Sequence, residues 1–496
     1  MKHFIGKQYQ RRRGALRGEW MIRSMKNKYR DLLKDTFIFT LSNLGSKLIL
    51  FFLVPLYTAY MSREEYGTAD LVFTVAQLVL PVVTLVIYDA IVRFGLSKNE
   101  NAENVLLAAV VVIAAGAAFT LLACPLLNLY PAIRPWKWQL ALYIILSAFY
   151  SANMNYLKVK NVNLWYALIS IVHTALMATL NVLWLAVFRL GVRGYLRANI
   201  VSLGAALLLS FFIGKIPAAL KKARLDRRLL REMAAFSVPL ILNNISWWVV
   251  HSSDKLMLEA MLGAAALGLY TAAAKIPAFI NVIINIFSQA WGISSVKEYE
   301  NTNDTGFYSS VLRINVFICF GACVLLVALT KPFMKLYVSE EFYEAWRYVP
   351  VLLAAAAFAS IAYYYGSLYG ALKKSGNNMA TTLLAAIVNI AVNYFGIKLV
   401  GIHGASIGTL VAYLVMAHVR LYDVGRFLPI RIDWGWYLPM CALVLVQAAM
   451  VTLDWYGAWV SCGAILLFAL LNRELMKEAL GKAAAMLKKH RGNSES

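Results

Sequence analysis

The chain has 496 residues, of which 61% are hydrophobic and 15% are charged, and its net charge is +23. Soluble globular proteins average about 45–50% apolar and about 25% charged residues, so this composition excludes an ordinary soluble protein. Because the apolar residues come in long runs, we interpret the basic excess as the loop charge of a membrane protein, and we expect no nucleic-acid partner.

Residues 1–34 contain eleven Lys and Arg residues and two acidic ones. No apolar segment with a small-residue cleavage site follows, so the pattern is not that of a cleaved signal peptide. We predict a basic cytoplasmic arm that lies on the anionic face of the membrane.

The rest of the chain is organised in apolar runs, each about as long as the 20 residues that a membrane-spanning helix needs. We predict an all-α polytopic membrane protein with about fourteen such helices. They lie at residues 36–61, 67–93, 104–128, 137–157, 165–188, 193–215, 234–258, 264–292, 309–334, 346–371, 379–399, 402–421, 434–453 and 455–472.

The basic residues predict the orientation of these helices. With the N-terminus inside, the inner segments hold 34 Lys and Arg residues, Arg420 among them, and the outer segments hold 10. This asymmetry favours both termini on the cytoplasmic side of a bacterial plasma membrane.

A basic segment divides the first twelve helices into two sets of six. We predict an N-lobe at 35–216, a cytoplasmic linker at 217–233, a C-lobe at 234–421, two further helices at 432–472 and an amphipathic cytoplasmic tail at 473–496. A shift of 201 residues superimposes the starts of the two lobes without a gap and suggests a structural repeat. It aligns Leu41, Asn43, Ala59 and Gly67 with Leu242, Asn244, Ala260 and Gly268.

Polar residues inside the predicted spans are the candidates for a binding site, because a charge there costs about 2.5–3.5 kcal/mol and usually faces a cavity. Lys47 and Lys275 fall near mid-depth, and Arg313 falls in the inner part of its span, where snorkelling to the interface is an equal alternative. The amide candidates are Asn43, Gln77, Asn244, Asn281 and Asn285. For Asn43 and Asn244, a plain helix-to-helix hydrogen bond explains the residue equally well.

Three carboxylates are candidates for a coupling ion, Na⁺ or H⁺: Asp70, Asp89 and Asp254. We expect Asp254 and its neighbour Lys255 to form a structural pair near the outer end of their helix. The chain contains no nucleotide-binding, zinc-protease or serine-hydrolase motif, its six His are scattered, and its five Cys lack metal-ligand spacing. We therefore predict no resident metal or cofactor and no enzymatic activity.

The mid-depth charges are cationic and their neighbours are Asn, Gln and Thr. Lys is a point charge suited to phosphate, and amides match sugar hydroxyls. The pattern favours an anionic or polyhydroxylated solute over an organic cation.

Two stretches resemble a known family. "FFLVPLYTAYMSREEYGTADLVFT" at 51–74 and "DKLMLEAMLGAAALGLYTAAAKI" at 254–276 are similar to the openings of the two halves of Wzx-like polysaccharide flippases. That family belongs to a superfamily with lipid II flippases and MATE-type multidrug exporters. The resemblance implies a V-shaped, MATE-like pair of six-helix lobes around a central cavity, with two added C-terminal helices.

The resemblance also implies a function. Such a protein would move undecaprenyl-diphosphate-linked oligosaccharide across the cytoplasmic membrane by alternating access, for cell-surface polysaccharide biosynthesis. Lys47, Lys275 and Arg313 would hold the diphosphate, membrane lipids would surround the tail, and polymerase or glycosyltransferase machinery would be partners. The alternatives are a lipid II or sporulation-type precursor flippase and a cation-coupled MATE-type multidrug exporter.

Overall fold

The computed structural model describes residues 45, 47–97, 99–301 and 304–477, and every structural statement below concerns those residues. The predicted N-terminal arm at 1–34, residue Asn43 and most of the predicted tail at 473–496 lie outside them. The described part of the chain is helical throughout and contains no strand.

We number the helices in chain order. The N-lobe contains α1 (Lys47–Tyr60), α2 (Arg63–Val83), α3 (Ile87–Gly95), α4 (Ala102–Ala123), α5 (Lys137–Val159), α6 (Asn163–Asn181) and α7 (Gly191–Ile213), and a short α8 (Ile216–Lys222) follows it. The C-lobe contains α9 (Arg227–Leu262), α10 (Ala264–Ala274), α11 (Ala278–Asn301), α12 (Thr305–Tyr337), α13 (Val349–Ala371), α14 (Ser375–Val400) and α15 (Ile402–Gly425). Two helices complete the described chain, α16 (Trp434–Thr452) and α17 (Gly457–Leu471).

Twelve helical segments of the described chain are long and apolar enough to cross a membrane. The shorter apolar helices α1 and α17 add two segments, and α10 continues the path of α11. The protein is therefore a multi-pass membrane protein, and about fourteen crossings remain the count that this helix order supports.

Two of the predicted spans are interrupted. The predicted span at 67–93 divides into α2 and α3 because Leu85 and Val86 have positive φ angles, four to five residues after Pro81. The predicted span at 264–292 divides into α10 and α11 at Pro277, which has no N–H to continue the helix. Sequence periodicity alone did not reveal either break.

Helix α9 is longer than the prediction. It begins at Arg227, where the Asp226 side chain accepts hydrogen bonds from the first-turn N–H groups of Arg228 and Leu229. Its first turns therefore lie in the segment 217–233 that we predicted as a linker. Leu229 and Met233 are buried against α3 and α4, so α9 is anchored to the N-lobe at its start.

The centre of the C-lobe is α13. It packs against α11, α12, α15 and α16, and nearly all of its residues are buried. An apolar helix that is enclosed on all sides is expected to be a core helix rather than a lipid-facing one. The C-lobe is thus organised around one helix, and the outer helices present their exposed apolar side chains to the membrane.

Candidate functional site

We use two names for the ends of the helix bundle. The basic end is the one at which α8 lies and α9 begins, and the opposite end is the one at which α1 is joined to α2 and α9 to α10. The chain direction of each helix assigns its termini to one end or the other.

A cavity of about 510 Å³ lies between the two lobes, and two lysines line it. Lys47 comes from α1 of the N-lobe, and Lys275 comes from the break between α10 and α11 of the C-lobe. Asn281 of α11 lines the same cavity. The structure therefore brings together three of the residues that the sequence singled out, although Lys47 is more than 200 positions from Lys275 and Asn281 in the chain.

The remaining lining of this lysine cavity is apolar or aromatic. It consists of Leu48, Leu50, Phe51, Val54, Tyr57, Tyr195, Ala278, Phe279, Val282 and Ile283. Among the described residues that line the cavity there is no carboxylate, so its known wall carries two lysines and no acid. Such a wall suits an anionic group attached to an apolar chain.

An ion pair joins the lobes beyond this cavity. The Lys255 Nζ atom of α9 lies 2.8 Å from Asp70 Oδ2 of α2, and both side chains are largely buried. Thr271 of α10 donates a hydrogen bond of 3.0 Å to the same carboxylate, and Lys275 is a further cation in its electrostatic environment. Asp70 is thus fully engaged in holding α2 to α9 and α10.

Two glycines permit the closest approach of the lobes. A Cβ on Gly67 of α2 would lie 2.7 Å from the Gly268 backbone nitrogen of α10, and a Cβ on Gly268 would lie 2.8 Å from the Arg63 carbonyl carbon. Such distances are well inside van der Waals contact, so only glycine fits at either position. The backbones of α2 and α10 therefore touch.

These contacts also reveal the internal symmetry. Gly67 and Gly268 are related by the 201-residue shift, and so are Asp70 and Thr271, which share a hydrogen bond. Equivalent residues of two repeats touch each other only close to the axis that relates the repeats. The α2–α10 crossing therefore marks a pseudo-two-fold axis between the lobes.

Further contacts between the lobes lie at the same end of the bundle. Arg63 donates to the Glu341 backbone carbonyl and pairs with the Glu344 carboxylate at 3.3 Å. Tyr130 donates to Glu259, and the Trp248 indole N–H donates to the Thr74 carbonyl at 3.2 Å, deeper in the bundle. These contacts join the lobes at the end of the bundle where α1 meets α2 and α9 meets α10, the end that we named the opposite end.

Asp254 has a different environment from the one we predicted. It does not form an ion pair with Lys255, whose ammonium group reaches Asp70 instead. Asp254 is 3% exposed and accepts hydrogen bonds from Tyr270, from Thr409 at 3.1 Å and from the Lys255 backbone N–H at 2.9 Å. The expectation of a structural Asp254–Lys255 pair is therefore wrong, because successive residues of a helix point to different neighbours.

Polar groups of α14 and α15 are buried beside this part of α9. Ser253 donates to Asn389 Oδ1 at 2.7 Å, and Asn393 donates to the same oxygen at 3.0 Å. Three atoms there have no hydrogen-bond partner among the described residues: Asn389 Nδ2, Asn393 Oδ1 and Ser406 Oγ. The part of α9 around Ser253 is therefore bordered by buried polar groups, and two oxygens among them, Asn393 Oδ1 and Ser406 Oγ, have no partner among the described residues.

The other predicted site residues are dispersed. Gln77 is exposed on α2, and Asn285 is exposed on α11 one turn beyond Asn281. Asn244 donates to the Leu240 carbonyl of its own helix, so the hydrogen bond that it makes is within α9 and is not the helix-to-helix bond that we predicted as its simpler role. Asp89 is exposed on α3.

Arg313 does not join the two lysines. It lies on α12 with its guanidinium group 5.4 Å from the ring centre of Trp436 in α16. The structure thus removes Arg313 from the predicted diphosphate site, because the inner part of α12 faces α16 rather than the space between the lobes.

Arg420 has an environment that the sequence did not predict. We counted it among the basic residues of the inner segments, at the end of the predicted span 402–421, and it is fully buried in α15. Its guanidinium group donates to the Ala362 carbonyl at 2.7 Å and to the hydroxyls of Thr381 and Thr382 at 3.0 and 2.8 Å. The position of Arg420 near a helix end suggested an exposed side chain. The carbonyl and hydroxyl acceptors that compensate its buried guanidinium group could not be identified from the sequence.

The chain is similar to known proteins both in sequence and in fold. A family described as "Polysaccharide biosynthesis protein" matches residues 32–291, which is more than half of the chain. "Lsg locus putative protein 1" of Haemophilus influenzae is 24% identical over 264 residues, an alignment that covers 52% of this chain and 64% of that relative. The chain thus spans less than two thirds of the length of this relative.

Two solved structures share the fold. One is described as the lipid II flippase MurJ in an inward closed conformation, with a TM-score of 0.65, 12% identity and coverage of 90% of this chain and 100% of the other. The second is an inward-facing MATE family transporter of the MOP superfamily, with a TM-score of 0.64, 15% identity and coverage of 78% and 94%. The MATE-like fold that the sequence predicted is confirmed, and the chain belongs to the polysaccharide biosynthesis protein family.

Proposed function

We propose that this protein is a flippase that moves undecaprenyl-diphosphate-linked oligosaccharide units across the bacterial cytoplasmic membrane for polysaccharide export. The observation that carries the proposal is the lysine cavity. Lys47 of the N-lobe and Lys275 of the C-lobe line the same space of about 510 Å³. Membership of the polysaccharide biosynthesis protein family supports the substrate class.

The chemistry of the cavity fits the head of such a lipid. A diphosphate carries charges that two lysines can neutralise, and ammonium groups bind phosphate oxygens as point charges. Asn281 offers an amide to sugar hydroxyls, while the apolar lining accompanies the first isoprene units. The remainder of the lipid tail would stay in the bilayer beside α1 and α11.

To move the head group across the membrane, the lobes would have to separate at the end of the bundle where they touch and come together at the other end. In the described conformation they meet at the opposite end, through Gly67, Gly268 and the Asp70–Lys255 pair. With both termini on the cytoplasmic side, substrate would come from the glycosyltransferases that assemble it there. Release would follow when the α2–α10 contact opens, and a polymerase would take the unit on the outer face. This is alternating access without covalent chemistry.

For the coupling ion, we propose Asp254 rather than Asp70 or Asp89. Asp254 is buried, and its hydrogen-bond partners Tyr270 and Thr409 are neutral. Asp70 already holds Lys255. A buried carboxylate that makes no ion pair with a described residue is stabilised by taking up a proton or Na⁺, so its occupancy can be linked to the arrangement of α9, α14 and α15.

The functional proposal can be tested in cells that carry the gene. Deletion is expected to abolish surface polysaccharide, and wild-type protein should restore it. Lys47→Ala and Lys275→Ala should fail to restore it at normal protein levels and should accumulate lipid-linked oligosaccharide. Lys297→Ala is the matched control, since Lys297 is an exposed lysine of α11 outside the cavity. Full polysaccharide with both cavity variants would refute the assignment.

The coupling proposal has a separate test. Asp254→Asn should abolish the dependence of transport on an imposed Na⁺ or proton gradient, whereas Asp89→Asn should retain it. Gradient-dependent transport by Asp254→Asn would exclude Asp254 as the coupling residue and leave the substrate assignment intact.

A further inference from the structure

A second cavity, of about 570 Å³, lies at the basic end of the protein, where α12 begins, α15 ends and α16 begins. Its lining residues are Thr305, Tyr365, Leu421, Tyr422, Gly425, Arg426, Pro429, Ile430, Arg431, Ile432 and Trp434. The cavity shares no residue with the lysine cavity between the lobes. We call it the interfacial cavity.

The charges of the interfacial cavity are cationic. Arg426 and Arg431 line it, and both side chains are exposed. Asp423 Oδ1 lies 3.9 Å from Arg426, and the other oxygen of this carboxylate accepts hydrogen bonds from Tyr369 at 2.7 Å and Asn377 at 2.9 Å. The guanidinium groups therefore have donors left for an external anion.

The Asp433 carboxylate, next to the cavity in sequence, is engaged at the start of α16. It accepts a hydrogen bond from the Trp436 backbone N–H and caps the start of α16. A capping carboxylate compensates the N–H groups of its own helix. The Arg431 backbone N–H donates to Ser309 of α12 at 3.0 Å, so the loop that carries this arginine is fastened in place.

Tyr365 provides an independent sign that the cavity is suited to a hydrogen-bonding ligand. This side chain lines the cavity but is only 1% exposed, and its hydroxyl has no hydrogen-bond partner in the described part of the chain. A buried hydroxyl without a hydrogen-bond partner destabilises the protein, and a phosphate oxygen that accepts from it would remove this penalty. Arg313 shows the same deficiency nearby, since its Nε atom is also buried without a partner among those residues.

The rim of the cavity matches the boundary of a bilayer. Tyr422 is 72% exposed and Trp434 is 50% exposed, and aromatic residues of this kind are enriched at the level of lipid head groups. Leu421, Ile430 and Ile432 supply partly buried apolar surface beside them. Basic pockets between membrane helices with such a rim bind lipid head groups together with the start of the acyl chains.

We propose that the interfacial cavity binds the phosphate head group of an anionic phospholipid of the bilayer. Arg426 and Arg431 hold the phosphate, and the Tyr365 hydroxyl donates to it. The acyl chains leave over Leu421 and Ile432 into the membrane. The site is independent of the flipped substrate, and its occupant links the C-lobe to α16.

The test is native mass spectrometry of the full-length protein with dioleoyl phosphatidylglycerol and, separately, with dioleoyl phosphatidylcholine. We expect phosphatidylglycerol to bind at least about tenfold more tightly, because Arg–phosphate contacts are charge-assisted. Arg426→Gln combined with Arg431→Gln should abolish this preference. Lys221→Gln combined with Lys222→Gln is the matched control, since it removes the same charge from exposed positions of α8 and should keep the preference.

Tyr365→Phe separates binding from folding. It removes no hydrogen bond that the described residues make, so the lipid-free protein should melt at or above the wild-type temperature, with phosphatidylglycerol binding about threefold weaker. Equal binding of the two lipids, or an unchanged preference in the double arginine variant, would overturn the proposal. Saturation of the same site by inorganic phosphate alone, without any added effect of acyl chains, would also overturn it.

Discussion

The glycine crossing between α2 and α10 allows the most quantitative prediction. A methyl group on Gly67 would meet backbone atoms of Ala264 and Gly268, and one on Gly268 would meet those of Arg63 and Gly67. Backbone atoms cannot rotate away as a side chain can. Overpacking of this kind costs about 1–3 kcal/mol, so each methyl group should disfavour the described conformation by that amount.

The double variant Gly67→Ala and Gly268→Ala should therefore shift a conformational equilibrium. The state in which the lobes touch at the α2–α10 crossing should lose population to a state in which they are separated there. The two penalties together amount to about 2–6 kcal/mol, and 1.4 kcal/mol is a factor of ten, so we expect a shift of at least about thirtyfold towards the open state. The gain in helix propensity from Gly to Ala is common to both states and cancels. The relevant penalty is thus confined to the closed contact.

Distances between spin labels can measure the shift. Labels at Glu64 and Lys335, both exposed and close to the opposite end on different lobes, report the separation of the lobes. The double variant should move the distance distribution to longer values. Gly292→Ala is the control, because a Cβ there meets nothing within 4 Å. An unchanged distribution in the double variant would refute the close-contact argument.

Three further changes probe the same lobes by other means. Lys255→Met removes the ion-pair partner of Asp70 and should lower the free energy of unfolding by roughly 2–3 kcal/mol in a thermal assay. Adding Asp70→Asn should restore most of that stability, and an equal loss in the single and the double variant would refute the pairing. Arg420→Met strands the acceptors of a buried guanidinium group and should cost about 3–5 kcal/mol in denaturant unfolding, with Arg420→Lys rescuing only part. Trp248→Phe removes one hydrogen bond to Thr74, worth about 1 kcal/mol, and should lengthen the spin-label distances less than the glycine variant does.

The sequence was sufficient to predict the helices and the relation between the lobes. Runs of about 20 apolar residues have no other stable outcome in a membrane, so the helix order follows from composition. The 201-residue shift rested on few identities, yet the paired Gly67 and Gly268 turned out to touch each other. Because equivalent residues meet at the symmetry axis, the close contact restricts the residue type at the same position of both repeats.

The partners of the charged residues could not be predicted from the sequence. Depth along a helix placed Lys47 and Lys275 at a similar level, and they do line one cavity. The direction in which a side chain points is set by neighbouring helices, however, and sequence spacing gives no information about those neighbours. For this reason Asp254 and Lys255 were paired with each other, and the burial of Arg420 was not predicted.

The most direct measurement of the central claim is flipping in proteoliposomes that contain purified protein and undecaprenyl-diphosphate-linked oligosaccharide, followed by a reagent that reaches only the outer leaflet. Our account predicts transfer by the wild-type protein and by Lys297→Ala, and a loss of at least about tenfold in rate for Lys47→Ala combined with Lys275→Ala. Transfer by the double lysine variant at the wild-type rate would contradict it.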